Sequence, residues 1–204
     1  MNVEDLRNRW FVEPGPELRR QLIDCFQWKK EWPGILKDLP GADEIDHYCD
    51  LRGIDLTGIS LAKCELQYAA LDFGRFENCN FGGTDFQFAS MKQASFAEAN
   101  LTLAHMLQVE ASGTSFINSD MYRAIAICAD FRDCNFSKAH MGKIILDDAR
   151  CNHASFVDAD LTSARLLSCN LSSANLRNAR LNDVDLSVCI VDERTILPHS
   201  INED

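Results

Sequence analysis

Large apolar residues recur at every fifth place along most of this chain. From Leu51 to Leu186 the set has 28 members, of which 25 are Leu, Phe or Met; the others are Ala111, Ala126 and Cys151. Only five further Leu, Phe or Met residues fall between positions 46 and 190: Phe73, Phe88, Leu103, Leu107 and Leu167. Two places before each centre, from Cys49 to Val184, 23 of 28 residues are Ala, Cys, Ser, Thr or Gly, and the rest are Val or Ile. A large and a small side chain spaced by two point to a single face of extended backbone. The remaining three places are mostly polar. A strict period of five fits neither a 3.6-residue helix nor a long flat strand, so the pattern predicts a repeat architecture.

The units AEANL (97–101), VDADL (157–161), LSSANL (171–176) and RNARL (177–181) resemble the pentapeptide-repeat family, whose usual unit is A(D/N)LXX. The resemblance spans 145 of the 204 residues. It implies an all-β solenoid: a right-handed quadrilateral β-helix with four units per coil, the large centre and the preceding small residue pointing inward. Four units per coil would stack centres 20 apart. One such row reads Leu56, Phe76, Phe96, Phe116, Phe136, Phe156, Leu176, which predicts a column of stacked rings. The 28 units make about seven coils, or ~34 Å at the usual strand spacing.

All five prolines and all three tryptophans lie outside residues 46–190. This shift divides the chain into an N-terminal helical cap (1–45), the repeat (46–190) and a C-terminal cap or tail (191–204). Between Pro16 and Pro33, Leu18, Leu22 and Phe26 have helical spacing, with Pro16 suited to a first turn and Pro33 to a stop. A shorter helix is expected through Val3, Leu6 and Trp10. A stacked coil exposes its core at each end, and solenoids commonly cover it with an atypical element. Residues 1–45 are accordingly read as a cap on the first coil, the alternative being a separate partner-binding helix. At the other end Val191 and Ile196 stay in phase, and the tail either caps the rod or mediates dimerisation, as end-to-end contact does in related proteins.

Net charge is −11 and the isoelectric point is near 4.8. That disfavours a nucleic-acid or anionic-membrane binder, since phosphate affinity comes mainly from Lys and Arg. The start, MNVEDLRNRW, carries acids early and is not expected to be a secretory signal. No stretch approaches 18 apolar residues, so no membrane span is expected. Of nine cysteines, six (Cys49, Cys64, Cys79, Cys134, Cys169, Cys189) occupy the small inward place and Cys151 a centre; Cys25 and Cys128 do neither. No C-x-x-C pair occurs, so these thiols are read as small buried groups of a reducing, cytoplasmic protein rather than as a zinc site or disulfide framework. Cys169 and Cys189 would lie one coil apart. His140 falls in the row Asn100, Asp120, His140, Asp160, Arg180, which reads as a solvated ladder rather than an acid–base site. Arg52, Asp72 and Lys92 read as a second ladder of alternating sign. With the interior filled by its own side chains and no phosphate-loop, zincin or nucleophile-elbow motif present, neither catalysis nor a cofactor or metal is expected.

The row of centres Leu66, Phe86, Met106, Ala126, Leu146, Leu166 and Leu186 is flanked at outward places by Tyr68, Phe88, Leu107, Ile125, Ile127, Ile145 and Leu167. Contiguous outward apolar residues mark a contact site. The competing reading is a local inversion at AIAIC (124–128), isoleucines inward and alanines outward. Two functions follow. One is a non-catalytic scaffold that binds a cytoplasmic protein partner, or a second copy of itself, through this face. The other comes from the resemblance: the fluoroquinolone-resistance group of the family are acidic rods that imitate DNA and bind DNA gyrase, with topoisomerase IV as a related target. Charge dilutes that likeness, because residues 46–190 hold 18 acids against 12 bases, whereas ~34 Å of duplex carries about 20 negative charges.

Overall fold

The computed structural model of the chain describes residues 2–28 and 50–198. The period of five is a period of hydrogen bonds, as residues 101–105 illustrate. Leu101 N–H donates to the Asp120 carbonyl (2.6 Å), Leu103 N–H to Tyr122 (3.0 Å), Ala104 N–H back to Leu101 (3.0 Å) and His105 N–H to Thr84 (2.9 Å). The fifth donor, Thr102 N–H, goes to the side-chain Oδ1 of Asn100 at 2.9 Å. Two bonds run to the following coil, one to the preceding coil, one closes a turn, and an Asx side chain takes the last. Where Asp or Asn precedes a centre, as in twelve of the 28 units, its side chain supplies an acceptor that the backbone lacks, and Asp85, Asp120, Asn135, Asp160 and Asn175 repeat this.

The turn bond spans three residues, and the second residue after each centre adopts positive φ, as a type II turn requires. Every such corner from Gly53 to Asp183 has φ between 53° and 75°, and only Gly53, Gly58, Gly83 and Gly113 are glycine. Left-handed backbone costs other residues about 1–2 kcal/mol each, so the ladders and the core must offset a strain that recurs at every corner.

Parallel bridges join the residue before each centre to the residue twenty places on, from Asp50↔Ala70 to Asn170↔Ile190. Four centres per coil make four walls, named here by their first centres: wall 1 from Leu51, wall 2 from Leu56, wall 3 from Leu61 and wall 4 from Leu66. The interior is solid. Phe76, Phe96, Phe116, Phe136 and Phe156 are at most 1% exposed, with successive ring centroids 4.8, 5.5, 5.0 and 5.0 Å apart and nearly parallel. Gly74 is needed beside this column, because a Cβ there would stand 2.5 Å from the Phe76 ring. Polar inward residues are satisfied by backbone: Thr84 Oγ1 donates to the Leu61 carbonyl, Cys79 Sγ to Leu56 and Cys134 Sγ to Ala111.

Two helices precede the coil, α1 (Val3–Asn8) and α2 (Gly15–Trp28). Asn2 and Asp5 close a capping box at the start of α1. Leu6, Trp10, Leu18 and Leu22 are buried, the last three within the same core cluster as Leu51 and Ile54. Val3, expected on this inward stripe, is exposed instead. The Phe26 side chain, Pro33 and the boundary near residue 45 lie outside the described residues. α1 is held to the first coil by Arg9, which donates to both Asp50 carboxylate oxygens at 2.7 Å with both side chains almost fully buried. Trp10 Nε1 donates to the Arg52 carbonyl at 2.9 Å. Gly53 cannot carry a Cβ, which would meet the Leu6 carbonyl at 2.5 Å.

At the other end the register breaks earlier than the apolar spacing implies. Arg165 has no bridge to position 185; a 3-10 turn over Leu186–Val188 intervenes, and Asn175 bridges Ile196, twenty-one residues on. The extra residue enters after Ile190, which still keeps the twenty-residue step from Asn170, so Ile196 takes the outward bridging place while Val191 keeps its phase; both are about half exposed.

Candidate functional site

Wall 4 is crossed in the same sense by every coil, since all bridges are parallel. Each crossing begins at a leading corner, turns one residue out before the centre and one out after it, and leaves by a trailing corner. Ala124 and Ala126 are fully buried and Ile125 and Ile127 half-buried. The isoleucines therefore face out, and the inversion reading of residues 124–128 does not hold. Ile125 bridges Ile145 directly, with His105 on one side of the pair and Arg165 on the other. Leu107 and Ile127 occupy the matching place after the centre on adjacent coils, both half-buried.

The expected patch is not continuous over all seven residues. Asp147 separates Ile127 from Leu167: its carboxylate is 8% exposed, pairs with Arg165 Nη2 at 2.7 Å and accepts from Leu167 N–H at 3.2 Å. Tyr68 and Phe88 stack on each other along the trailing corner at 5.0 Å, and Gln108 follows them there. The aliphatic centre thus comprises Leu107, Ile125, Ile127 and Ile145, with an aromatic pair and a separate leucine, 52% exposed, as outliers.

Sequence spacing did not reveal what Ile125 and Ile145 displace. They stand at a place where Asp or Asn accepts the turn N–H in twelve of the 28 units and another polar residue stands in most others, and an isoleucine cannot accept. Two outward positions of the coil thus forgo a turn bond for a half-buried aliphatic surface, the kind of local conflict that marks functional positions.

Other candidate groups fall into structural roles. His140 Nδ1 lies 3.1 Å from Asp120 Oδ1, the two side chains half exposed, and Tyr122 stacks on the imidazole at 5.4 Å. This is a solvated ladder. Arg52, Asp72 and Lys92 do not pair along their column as expected: Arg52 binds Asp50, Lys92 binds Glu110, and Asp72 accepts from Ser90 and the Lys92 amide. The shorter reach across one centre, or diagonally to the next coil of the same wall, wins. Cys79, Cys134, Cys151 and Cys169 are buried free thiols and Cys128 an exposed one. Burial pushes the Cys79 thiol up to about 11 and the Cys189 thiol up to about 12, and a hydrogen bond to Cys169 with full burial raises Cys151 well above the ordinary thiol value. These are protonated, unreactive groups. Cys49 and the Cys25 side chain lie outside the described residues. Among the described residues, no group of His, Cys, Asp or Glu is placed to hold a metal ion, and no helix is long and apolar enough to cross a membrane.

The family model described as pentapeptide repeats matches residues 47–83, 79–116, 108–142 and 144–183 in eight copies. Proteins of this kind fold as right-handed quadrilateral β-helices, the architecture that the twenty-residue ladder traces here. Among solved structures, the chain is similar to HetL of Nostoc, a pentapeptide repeat protein involved in heterocyst differentiation regulation, at 22% identity over 80% of this chain and 91% of that one, TM-score 0.46. It is similar to QnrB1, a plasmid-mediated fluoroquinolone resistance protein, at 21% identity over 71% and 90%, TM-score 0.40. A pentapeptide repeat protein of the Arabidopsis thaliana thylakoid lumen shares 22% identity over 58% and 69%, TM-score 0.41. No curated protein matches the chain in sequence.

Proposed function

The chain belongs to the pentapeptide repeat family, and from that premise we propose that it is a non-catalytic scaffold, a rod of seven coils capped by residues 2–28, that binds a cytoplasmic protein partner through wall 4. Proteins of the family are generally structural or binding proteins rather than enzymes. The observation that carries the reading is the pair Ile125 and Ile145, aliphatic and outward on adjacent coils at a place that is polar or charged in 25 of the 28 units. Interior volume supports it too: the tube is filled by phenylalanine, leucine and methionine side chains, whereas a small-molecule site needs a cavity of hundreds of cubic ångströms. The buried thiols of Cys79, Cys134, Cys151 and Cys169 accord with a reducing compartment.

The charge pattern favours this scaffold over a DNA mimic that binds gyrase or topoisomerase IV. Cations are threaded among the acids, as in Lys92–Glu110, Arg132–Asp130 and Arg165–Asp147, so no wall presents the unbroken anionic surface of a duplex. Replacing Ile127 with Glu, half-buried on wall 4, is expected to leave the melting temperature within a degree or two and to abolish retention of partner protein from host extract on the immobilised chain. Equal retention by wild type and Ile127→Glu would refute the wall as the binding face. A gyrase supercoiling assay separates the readings: no inhibition at micromolar protein is expected, and inhibition would favour the mimic.

A further inference from the structure

The two edges of wall 4 differ over its first five coils. Along the leading corner run Lys63, Gly83, Leu103, Arg123 and Lys143, before Ser163 and Asp183; along the trailing corner run Tyr68, Phe88, Gln108, Cys128 and Asp148, before Ser168. Lys63, Arg123, Lys143 and Asp148 are exposed and make no ion pair among the described residues. Asp147, by contrast, is already neutralised by Arg165.

We infer, building on wall 4 as the binding face, that its occupant is a second copy of this chain, packed wall to wall about a two-fold axis parallel to the rod. Such an axis sets the leading corner of one copy against the trailing corner of the other at equal height. Lys143 then meets the partner's Asp148, and Lys63 meets the exposed ring of the partner's Tyr68, a charge pair and a cation–π pair that each occur twice by symmetry. Between them Ile125 faces the partner's Ile127. A two-fold across the rod, centred on the isoleucines, would instead press Arg123 against its own copy. A basic peptide would be repelled by Lys63, Arg123 and Lys143 and an acidic one would leave no partner for Asp148, whereas a second copy pairs Lys143 with Asp148. A single narrow wall offers less than the roughly 800 Å² per partner of a standard interface, so the dimer forms in the micromolar-to-millimolar range.

Sedimentation velocity over a concentration series tests this with two variants whose changed side chains are exposed. Lys143→Glu sets Glu against Asp148, and Asp148→Lys sets Lys against Lys143, so each alone should self-associate about tenfold more weakly than wild type. An equimolar mixture of the two should recover association, because each hetero-pair restores both contacts. A monomeric wild type at about 1 mM, unaltered single variants, or a mixture no tighter than its components would each overturn the inference. Preferential pairing of Lys143→Glu with wild type would also overturn it, since that places the two-fold across the rod. Should wild type remain monomeric while Ile127→Glu still abolishes partner retention, the second copy is excluded and the wall survives. Retention unaffected by Ile127→Glu would remove both.

Discussion

Asn100 Oδ1 accepts from both the amide and the hydroxyl of Thr102, at 2.9 and 2.6 Å, and so closes a turn whose backbone offers no acceptor. Truncating it should cost what losing a helix N-cap costs. Asn100→Ala is expected to lower stability by about 1 kcal/mol, read as a shift in the denaturation midpoint at constant slope; no shift would show that water serves Thr102 equally well. Asp160 does the same for Thr162. Burial works to raise its carboxyl, and the two Thr162 bonds with nearby His140 and Arg180 hold it below the ordinary value. The inward register was legible in the sequence because large and small residues alternate without a slip. The reason Asp and Asn precede the centres was not, since it lies in the direction of one amide after a corner of positive φ. Nor was the choice of Glu110 over Asp72 by Lys92, which depends on side-chain reach.

At the scale of elements, α1 and α2 were readable in outline from Leu6, Leu18 and Leu22, whereas Val3 proves exposed and Trp10, expected on the first helix, is buried just past its end at Asn8. What fastens α1 was hidden: Arg9 and Asp50 are 41 residues apart, and only the docked helix brings them together. Removing one charge leaves the other buried, so Asp50→Asn should destabilise the capped rod by about 3 kcal/mol. Burial alone would raise the Asp50 carboxyl, but hydrogen bonds from Arg9 and Arg52 outweigh it and the group titrates below its ordinary value of 3.8. A depressed carboxyl contributes its stability in full above that ordinary value and loses it as pH falls through the depressed one. The gap in melting temperature between wild type and Asp50→Asn should therefore be constant at neutral pH and shrink below pH 3.8. A gap that persists into strong acid would mean the ion pair is not what holds α1. The C-terminal end was misread for a related reason: apolar spacing continues through Ile196, while the backbone gains one residue between Ile190, still twenty places from Asn170, and Ile196, twenty-one from Asn175.

For the whole molecule, the rod and its filled interior follow from the repeat, whereas the working surface follows from departures from it. Wall 4 was visible in outline as outward apolar residues, but its division by the Asp147–Arg165 pair was not, because that pair bridges two coils. Methyl-labelled isoleucines report on each surface separately: Ile125, Ile127 and Ile145 on wall 4, Ile117 on wall 2, and Ile190 and Ile196 at the C-terminal end. In an NMR series from about 10 µM to about 1 mM protein, a range that small interfaces span, the three wall 4 methyls should shift together while Ile117, Ile190 and Ile196 stay in place. Shifts confined to Ile190 and Ile196, with wall 4 unmoved, would place the contact at the end of the rod and contradict the account.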